Sequence, residues 1–298
     1  MDKLAAMHLF VRLADLGSFT RVADEMNASK SMVSKKISLL EAELGTRLIH
    51  RSTRRVQLTD IGEGYLERCR ALLMQMEDAD NFVQSQQGAP RGKLRVNVPM
   101  ALGTLYMGQA FAEFMTLHPE ITLDVHQGDE PMDLIEHGFD LGIRAASRQF
   151  DSAYIARKFT SFSYKVCASP DYLETHGTPE DASDLEHHNC FIYSYFRGGD
   201  QWPLGDGVRI SGTLKVNNTP FMLECIKAGL GIGFLPSFVA YDALKTGDIV
   251  EVLSPIARPE LTLYAMYPDR RHAPPRLTVF IDFLQNWFKG KAALWRAA

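Results

Sequence analysis

The sequence is poor in cysteine and has no long apolar run. The cysteines stand far apart without CxxC spacing, which argues against a disulfide framework and against a zinc ribbon. Charged residues begin at Asp2, and no later stretch approaches the ~20 apolar residues that span a bilayer. We therefore expect a protein of the reducing cytoplasm that has no membrane partner.

The motifs of common enzymes and cofactor sites are absent as well. No GxSxG, HExxH or P-loop pattern occurs. The segment Gly229-Leu230-Gly231-Ile232-Gly233 resembles a dinucleotide-binding pattern, but a predicted helix precedes the glycines and an apolar run follows them, which reverses the required order. These glycines instead indicate a helix end and a buried strand. We predict no catalytic residue, no metal site and no cofactor.

Positive charge is concentrated near the N-terminus, although the whole chain carries a net charge of -4. Residues 1–60 hold ten Lys or Arg against seven Asp or Glu, so the other 238 residues carry -7. Seven of those basic residues fall between Lys30 and Arg55, where the only acids are Glu41 and Glu43. Such a cluster on an acidic chain indicates a bound polyanion; a solvated basic face is the alternative.

The first sixty residues show the spacing of three short helices. Apolar residues recur at helical intervals from 4 to 16, and Gly17 ends that helix. Ser18 and Ser29 are placed to cap the next two helices, and Asn27-Ala28 forms the turn between them. Two short helices joined by about three residues are typical of a helix-turn-helix.

The third helix has the polarity of a helix that enters a DNA major groove. Its apolar positions (Val33, Ile37, Leu40) turn the polar and basic residues of its first turns toward solvent. A basic two-stranded wing between Arg47 and Thr59 is suited to hold phosphate or enter the minor groove, against the alternative of an ordinary helical hairpin with a charged turn. The predicted DNA contacts are Ser18, Thr20, Arg21, Ser29, Lys30, Ser31, Met32, Ser34, Lys35, Lys36, Arg51, Arg54 and Arg55.

A long helix follows the wing, from Thr59 as its cap to about Gln87, or roughly 40 Å at 1.5 Å per residue. Its apolar seam has near-heptad spacing, which predicts a coiled-coil dimer arm; packing of this helix on the second domain is the alternative. Residues 88–92 then form a flexible joint. The predicted seam residues are Leu66, Cys69, Leu73, Met76 and Val83.

From Lys93 the pattern changes to short apolar strands that alternate with amphipathic helices. Such alternation is typical of βαβ units with a parallel sheet. A similar alternation fills 164–252. The other predicted elements are strands at 94–98, 121–125, 141–144 and 261–267, and helices near 103–117, 131–137 and 275–288.

These residues closely resemble the N-terminal signature of LysR-type transcriptional regulators, and the likeness continues to about Phe288. Lys30 departs from the pattern, since the family very often has Gln or another neutral residue there. The positions that carry the likeness are Ser18-Phe19-Thr20, Ala23, the run from Ser29 to Lys35, Ile37, Leu40-Glu41, Leu44-Gly45, Leu48, Arg51, Leu58-Thr59 and Gly62.

The resemblance implies an α/β fold class with an N-terminal winged helix-turn-helix and a long linker helix, followed by a periplasmic-binding-protein-like effector domain of two subdomains. It also suggests that effector domains pair dimers into a tetramer. The implied domains are 1–58 for DNA binding, 59–87 for the dimerisation helix, 88–92 for the hinge and 93–298 for effector binding, with subdomain I at about 93–163 and 266–298 and subdomain II at about 164–265.

The cleft implied between the subdomains is expected to hold a small organic anion. Open α/β sheets bind ligands where strands end and helix N-termini present free N–H groups. Arg144 is the candidate for a carboxylate, with an ion pair between subdomains as its alternative, and the tyrosines could equally be wall residues. The predicted effector contacts are Pro99, Met100, Ala101, Leu102, Thr104, Gln127, Asp129, Arg144, Ser147, Tyr193, Tyr195, Asn217, Asn218 and Thr219.

Two functions remain open from the sequence. The favoured one is a regulator that binds an inverted-repeat operator in double-stranded DNA and responds to a small effector. The alternative is an enzyme or solute-binding protein that uses the same cleft and carries its N-terminal helices as an interaction module. DNA binding with a steep salt dependence separates the two.

Overall fold

A computed structural model describes residues 2–50, 56–85, 90–146, 154–196, 198–256, 260–268 and 273–291. The chain divides into two compact units, one of Met1–Ala89 with Met132–Phe139 and the other of Pro90–Pro131 with Asp140–Ala298. Four predicted contacts lie outside the described residues: Arg51, Arg54 and Arg55 of the wing, which were predicted to bind DNA, and Ser147, which was predicted to bind the effector.

The N-terminal unit is a winged helix-turn-helix. Gly17 ends the first helix in the left-handed region with φ 63°, and the Ser18 and Ser29 side chains cap the next two helices, as predicted. The apolar faces of these helices enclose a core around Phe10, Val22 and Leu40. The elements are α1 (Lys3–Leu16), α2 (Phe19–Glu25), α3 (Lys30–Leu44), β1 (Ile49–His50), β2 (Gln57–Leu58) and α4 (Asp60–Ser85).

A buried carboxylate fixes the start of the wing. Oε1 of Glu41 accepts from the backbone N–H groups of Leu48 and Ile49 at 2.9 and 3.2 Å. Strands β1 and β2 then pair antiparallel, which confirms the predicted hairpin. Thr59 caps α4 through the N–H of Gly62 at 2.9 Å, also as predicted.

The predicted coiled-coil seam of α4 is wrong at its first two positions. Leu66 and Cys69 are buried in the core of the N-terminal unit, packed with the helix-turn-helix. They therefore cannot be presented to a second chain. Among the described side chains of α4, Ile61, Leu72 and Met76 are large apolar residues left exposed, and the last two lie about one turn apart. The apolar stripe thus turns from the unit's own core to solvent along the helix.

The second unit is built on two main sheets, and its first strand begins at Gly92. Its elements are β3 (Gly92–Val98), α5 (Met100–Leu102), a π-helical segment (Gly103–Met107), α6 (Gly108–Leu117), β4 (Ile121–Gln127), β5 (Leu141–Ala146), β6 (Tyr154–Phe162), β7 (Tyr164–Ala168), α7 (Pro170–His176), a 3-10 turn (Ser183–His187), β8 (Ile192–Tyr193), β9 (Gln201–Trp202), β10 (Val208–Arg209), β11 (Lys215–Val216), α8 (Thr219–Lys227), β12 (Gly233–Pro236), α9 (Ser237–Thr246), β13 (Val250–Val252), β14 (Leu261–Pro268) and α10 (Pro275–Gly290).

The larger sheet has the strand order β4-β3-β5-β14-β6 and the smaller one β12-β7-β13. Strands β4, β3 and β5 run parallel as predicted, but β14 and β6 join antiparallel and the smaller sheet is antiparallel throughout. The predicted parallel arrangement therefore holds for these three strands and for the short pair β8 and β11, but not for β14, β6 or the smaller sheet. Gly229 has φ 76° after α8, and the buried strand β12 follows, as the glycine-rich segment predicted.

Two further boundaries differ from the predictions. The chain returns to the larger sheet by Leu261, not near residue 265, because the whole of β14 pairs with β6. No helix forms over 131–137; residues 134–138 are turns. There Oδ1 of Asp133 accepts from the N–H groups of Ile135 and Glu136, and Gly138 takes φ 67°, so a helical turn begins but does not continue.

Candidate functional site

The outward face of α3 is polar and exposed. The side chains of Val33, Ile37 and Leu40 are buried, so the first turns direct their other residues to solvent. Lys36 is half-buried at the edge of this face. The predicted contacts that lie exposed on or beside α3 are Ser29, Lys30, Ser31, Met32, Ser34 and Lys35.

Two of the predicted contacts have structural roles as well. The Ser29 hydroxyl accepts from the N–H of Met32 at 3.2 Å and lies 2.9 Å from the Ser31 hydroxyl. Ser18 caps α2 through the N–H of Arg21 at 3.4 Å. Both serines therefore orient their helices, while Thr20 and Arg21 are exposed on α2.

A cavity of about 300 Å³ lies within the second unit. The strand ends of the larger sheet form one side of it, and residues of β7, β8, α8 and α9 contribute to the other. The volume is at the lower end of those typical for small-molecule sites. The predicted effector residues that line it are Pro99, Ala101, Leu102, Asp129, Arg144, Tyr193, Tyr195 and Thr219.

Arg144 supplies the positive charge of this cavity. Its Nη1 donates to the side-chain oxygen of Asn97 and to the carbonyl of Ile143 at 3.0 Å. Its Nη2 is buried and has no hydrogen-bond acceptor among the residues that the structure describes. Burial lowers the pKa of this guanidinium, but an arginine stays protonated. The cavity therefore contains a fixed cation with a donor still unused.

Asp129 supplies a carboxylate to the same cavity. It accepts from the N–H of Met100 at 3.3 Å and from the Tyr193 hydroxyl. Burial raises the pKa of Asp129 above its ordinary value, and the nearby Arg144 partly opposes that rise. Tyr195 lies beside Tyr193, and its hydroxyl donates to Glu130 at 3.1 Å. Two tyrosines thus hold two consecutive acids.

Several predicted contacts fall outside the cavity lining. Thr104 lies in the π-helical segment, in the middle of a helical run, and bonds to Gln127 at 3.2 Å. Asn218 caps α8 by accepting from the N–H of Phe221 at 2.9 Å, and Asn217 is exposed.

At the start of α8 and of α5, one of the helix N–H groups expected to bind the effector already has a side-chain acceptor. Asn218 already fills the acceptor role at the start of α8. Asp129 does the same for the N–H of Met100 at the start of α5. Met100 itself does not line the cavity. Its backbone N–H holds the Asp129 carboxylate, which does.

The sequence did not reveal some of the residues that shape the cavity. Asn97 is fully buried on β3 and holds the Arg144 side chain; a polar residue inside an apolar strand was the available signal. The aromatic lining residues Phe162, Tyr164, Phe196 and Phe238 come from separate segments and were also missed. Only the fold brings them together.

Within the described ranges, no group of three or more His, Cys, Asp or Glu side chains is arranged to hold a metal ion. None of the helices described combines the length and apolar character that crossing a membrane requires.

Comparison with known proteins places this geometry in context. Residues 4–63 match the model of the bacterial regulatory helix-turn-helix protein, lysR family, and residues 87–289 match the LysR substrate binding domain. The chain is 36% identical to an HTH-type transcriptional regulator, YhjC, of Escherichia coli, covering 97% of this chain and 99% of that protein. It is 35% identical to an HTH-type transcriptional regulator of Haemophilus influenzae, with 93% and 98% covered.

A solved structure resembles the chain over almost its whole length. The full-length virulence activator AphB of Vibrio cholerae, described as a member of the LTTR protein family, matches with a TM-score of 0.67 and 26% identity. The match covers 95% of this chain and 98% of that one.

Proposed function

The chain belongs to the LysR family of transcriptional regulators, which bind DNA through the N-terminal domain and an effector through the C-terminal one, and we propose that it reads an inverted-repeat operator as a dimer and responds to a small organic anion. A protein that acts on chromosomal DNA works in the bacterial cytoplasm. It acts by binding, not by turnover, and needs no cofactor.

For DNA, the exposure of the α3 face supports the proposal. Ser31, Ser34 and Lys35 are the residues proposed to meet base edges, because they lie exposed on the first turns of a helix that fits the major groove. Lys36 and the basic wing residues Arg51, Arg54 and Arg55 are proposed to hold phosphates or the minor groove.

For assembly, the exposed apolar residues Leu72 and Met76 on α4 support a dimer, since a second chain would remove them from water. A two-fold dimer matches an inverted repeat, and pairing of effector domains into a tetramer is part of the proposal. Leu72→Asp with Met76→Asp should give a monomer that no longer binds a full operator. A wild-type chain that sediments as a monomer at micromolar concentration would contradict the proposal.

For the effector, one observation carries the proposal: Arg144 lines the cavity with a buried donor that has no acceptor among the described residues. A buried cation with an unused donor favours a ligand that brings a negatively charged acceptor. Regulation then requires that the ligand prefer one arrangement of the two subdomains over the other.

The experiment is a titration of the purified chain, alone and on operator DNA, with a panel of small carboxylic acids of different skeletons. We expect at least one acid to bind and to change operator affinity, and Arg144→Gln to weaken that acid while leaving operator binding without ligand nearly intact. An effector that proves neutral, or a dissociation constant unchanged by Arg144→Gln, would return Arg144 to a structural ion-pair role. Consumption of a ligand without DNA affinity would support the enzyme alternative.

A further inference from the structure

The two sides of the cavity differ in chemistry. The larger sheet contributes the charged groups Arg144 and Asp129, together with small apolar residues. The other side and the crossover between the sheets contribute rings. The aromatic residues in the lining are Phe162, Tyr164, Tyr193, Tyr195, Phe196 and Phe238.

These rings form an aromatic wall made of two groups that are in contact within themselves. The ring centroids of Phe162 and Phe238 are 5.1 Å apart, those of Phe162 and Tyr164 are 5.8 Å apart, and those of Tyr164 and Phe196 are 6.3 Å apart. Tyr193 and Tyr195 meet edge to face at 6.0 Å. Aromatic pairs favour centroid separations of about 4.5 to 7 Å, so a flat ring inserted against this wall would gain contacts of the same kind.

The polar groups require two different things of a ligand. Arg144 offers a donor at Nη2 and therefore calls for an acceptor. Asp129 accepts from Met100 and Tyr193, and a carboxylate has about four lone-pair sites. It therefore retains acceptor capacity and calls for a donor.

The positions of the two groups allow one small ligand to meet both. Strand β3 separates β4, which leads to Asp129, from β5, which carries Arg144. With strands about 4.8 Å apart, the two backbones are separated by about 10 Å, and both side chains face the same cavity of about 300 Å³. That volume suits one ring and its substituents, since larger ligands need sites toward the upper end of the range.

We propose that the effector is a single-ring aromatic carboxylate that carries a hydroxyl donor, with its carboxylate on Arg144, its hydroxyl on Asp129 and its ring against the aromatic wall. The inference rests on the proposed function and adds to it the ligand's skeleton and its second polar group. Asp129 distinguishes the hydroxylated acid from its parent, because only the former can donate to it.

The test is isothermal titration of the full-length chain with four probes: benzoate, 3-hydroxybenzoate, 4-hydroxybenzoate and cyclohexanecarboxylate. One of the hydroxybenzoates should bind roughly tenfold or more tightly than benzoate, the scale of one hydrogen bond to a charged group. Benzoate should in turn bind more tightly than its saturated counterpart. In Asp129→Asn the preference for the hydroxyl should fall below about threefold.

Asparagine retains an oxygen that can cap the N–H of Met100, so this variant should keep its fold. Glu130→Gln is the matched control, because it alters the adjacent acid, which is exposed and bonded to Tyr195. It should keep the wild-type preference.

Three results would overturn the inference: equal binding of benzoate and both hydroxybenzoates, a hydroxyl preference that survives Asp129→Asn, or cyclohexanecarboxylate as strong as benzoate. Absence of binding by all four probes would overturn it as well. The proposed function stands or falls separately. It survives if an aliphatic acid such as succinate binds in an Arg144-dependent way, and it fails if no carboxylic acid of any skeleton binds.

Discussion

The outward face of α3 and the cavity of the second unit use polar side chains in opposite ways. On α3, Ser34 and Lys35 stand in water, and the apolar residues behind them hold the helix in place. In the cavity, Arg144 and Asp129 are half-buried, and each is held by a partner, Asn97 for the first and Tyr193 for the second. The exposed groups cost the fold nothing, whereas the buried ones must be offset by hydrogen bonds.

This difference separates stability from recognition. A substitution on the exposed face should change DNA binding and leave unfolding almost unaffected. A substitution among the buried polar groups should change either ligand binding or stability, according to which partner is left without its bond.

The largest effect is a loss of folding stability, and we expect it on substitution of Glu41, the buried carboxylate of the N-terminal unit. Glu41→Ala removes the acceptor of two buried backbone N–H groups, those of Leu48 and Ile49, and should cost about 2 to 4 kcal/mol. Circular dichroism at 222 nm should show the helices of this unit melting earlier, with loss of operator binding. Tryptophan fluorescence should be unchanged, because Trp202, Trp287 and Trp295 all lie in the C-terminal part.

Glu43→Ala is the control for that prediction. Glu43 is exposed and pairs with the exposed Lys3 at 2.9 Å, and such a pair contributes about 1 kcal/mol or less. If both variants lose the same small amount of stability, burial of Glu41 is not what fixes the wing.

The next effect is expected on ligand affinity. Arg144→Gln should raise the dissociation constant of the effector roughly thirtyfold or more, the range for loss of a buried charged contact. Asn97→Ala should raise it less, since the guanidinium stays but loses the acceptor that orients it. Calorimetric titration measures both. Arg157→Gln, which breaks an exposed pair with Asp282, should bind the effector like the wild type.

These two regions also differ in how far the sequence predicts them. The α3 face follows from the spacing of Val33, Ile37 and Leu40 and from the Ser29 cap, all within about three turns of one helix, so local periodicity is sufficient. The wing and the long helix follow in the same way. The burial of Leu66 and Cys69 of α4 in the core of their own unit does not follow from local periodicity. An apolar stripe in a sequence does not show which surface covers it.

The cavity depends on information that no local pattern contains. Arg144 and Asp129 were found because they follow strands of a recognisable sheet. The bond from Met100 to Asp129 could not be foreseen, since it joins residues that are distant in sequence, whereas the Asn218 cap on the N–H of Phe221 is local and was missed. The aromatic wall is assembled from β6, β7, the segment after β8 and α9, and the antiparallel return of β14 follows from pairing that is distant in sequence.

A smaller effect is expected on DNA specificity. Lys35→Ala should reduce the difference in binding free energy between operator and unrelated DNA by roughly 1 to 3 kcal/mol if a good base contact is lost. Lys36→Ala should instead weaken both DNAs alike and flatten the salt slope by about one. Fluorescence anisotropy across a salt series measures both quantities. If Lys35→Ala prefers the operator as strongly as wild type does, Lys35 does not contact the base edges.

The smallest effect concerns pH, and it contrasts two aspartates of one sheet. The raised pKa of Asp129 means that the native chain binds this proton more tightly than the unfolded chain does. Its stabilising contribution is therefore complete below about pH 4, where an unfolded aspartate titrates, and is lost as pH rises through the native pKa. At the exposed edge, a hydrogen bond from Lys93 lowers the pKa of Asp124. That contribution is present above about pH 4 and is lost as pH falls.

The two asparagine variants should consequently move in opposite directions. Relative to wild type, the urea midpoint of Asp129→Asn should rise as pH is taken from 4 to 7, because the variant has no buried charge to form. That of Asp124→Asn should fall as pH is taken from about 3 to 5, since the ion pair that it lacks forms in wild type over that lower range. Tryptophan fluorescence reports this unit selectively. Parallel curves for the two variants would show that burial does not distinguish these carboxylates, and the contrast between cavity and surface would not extend to their titration.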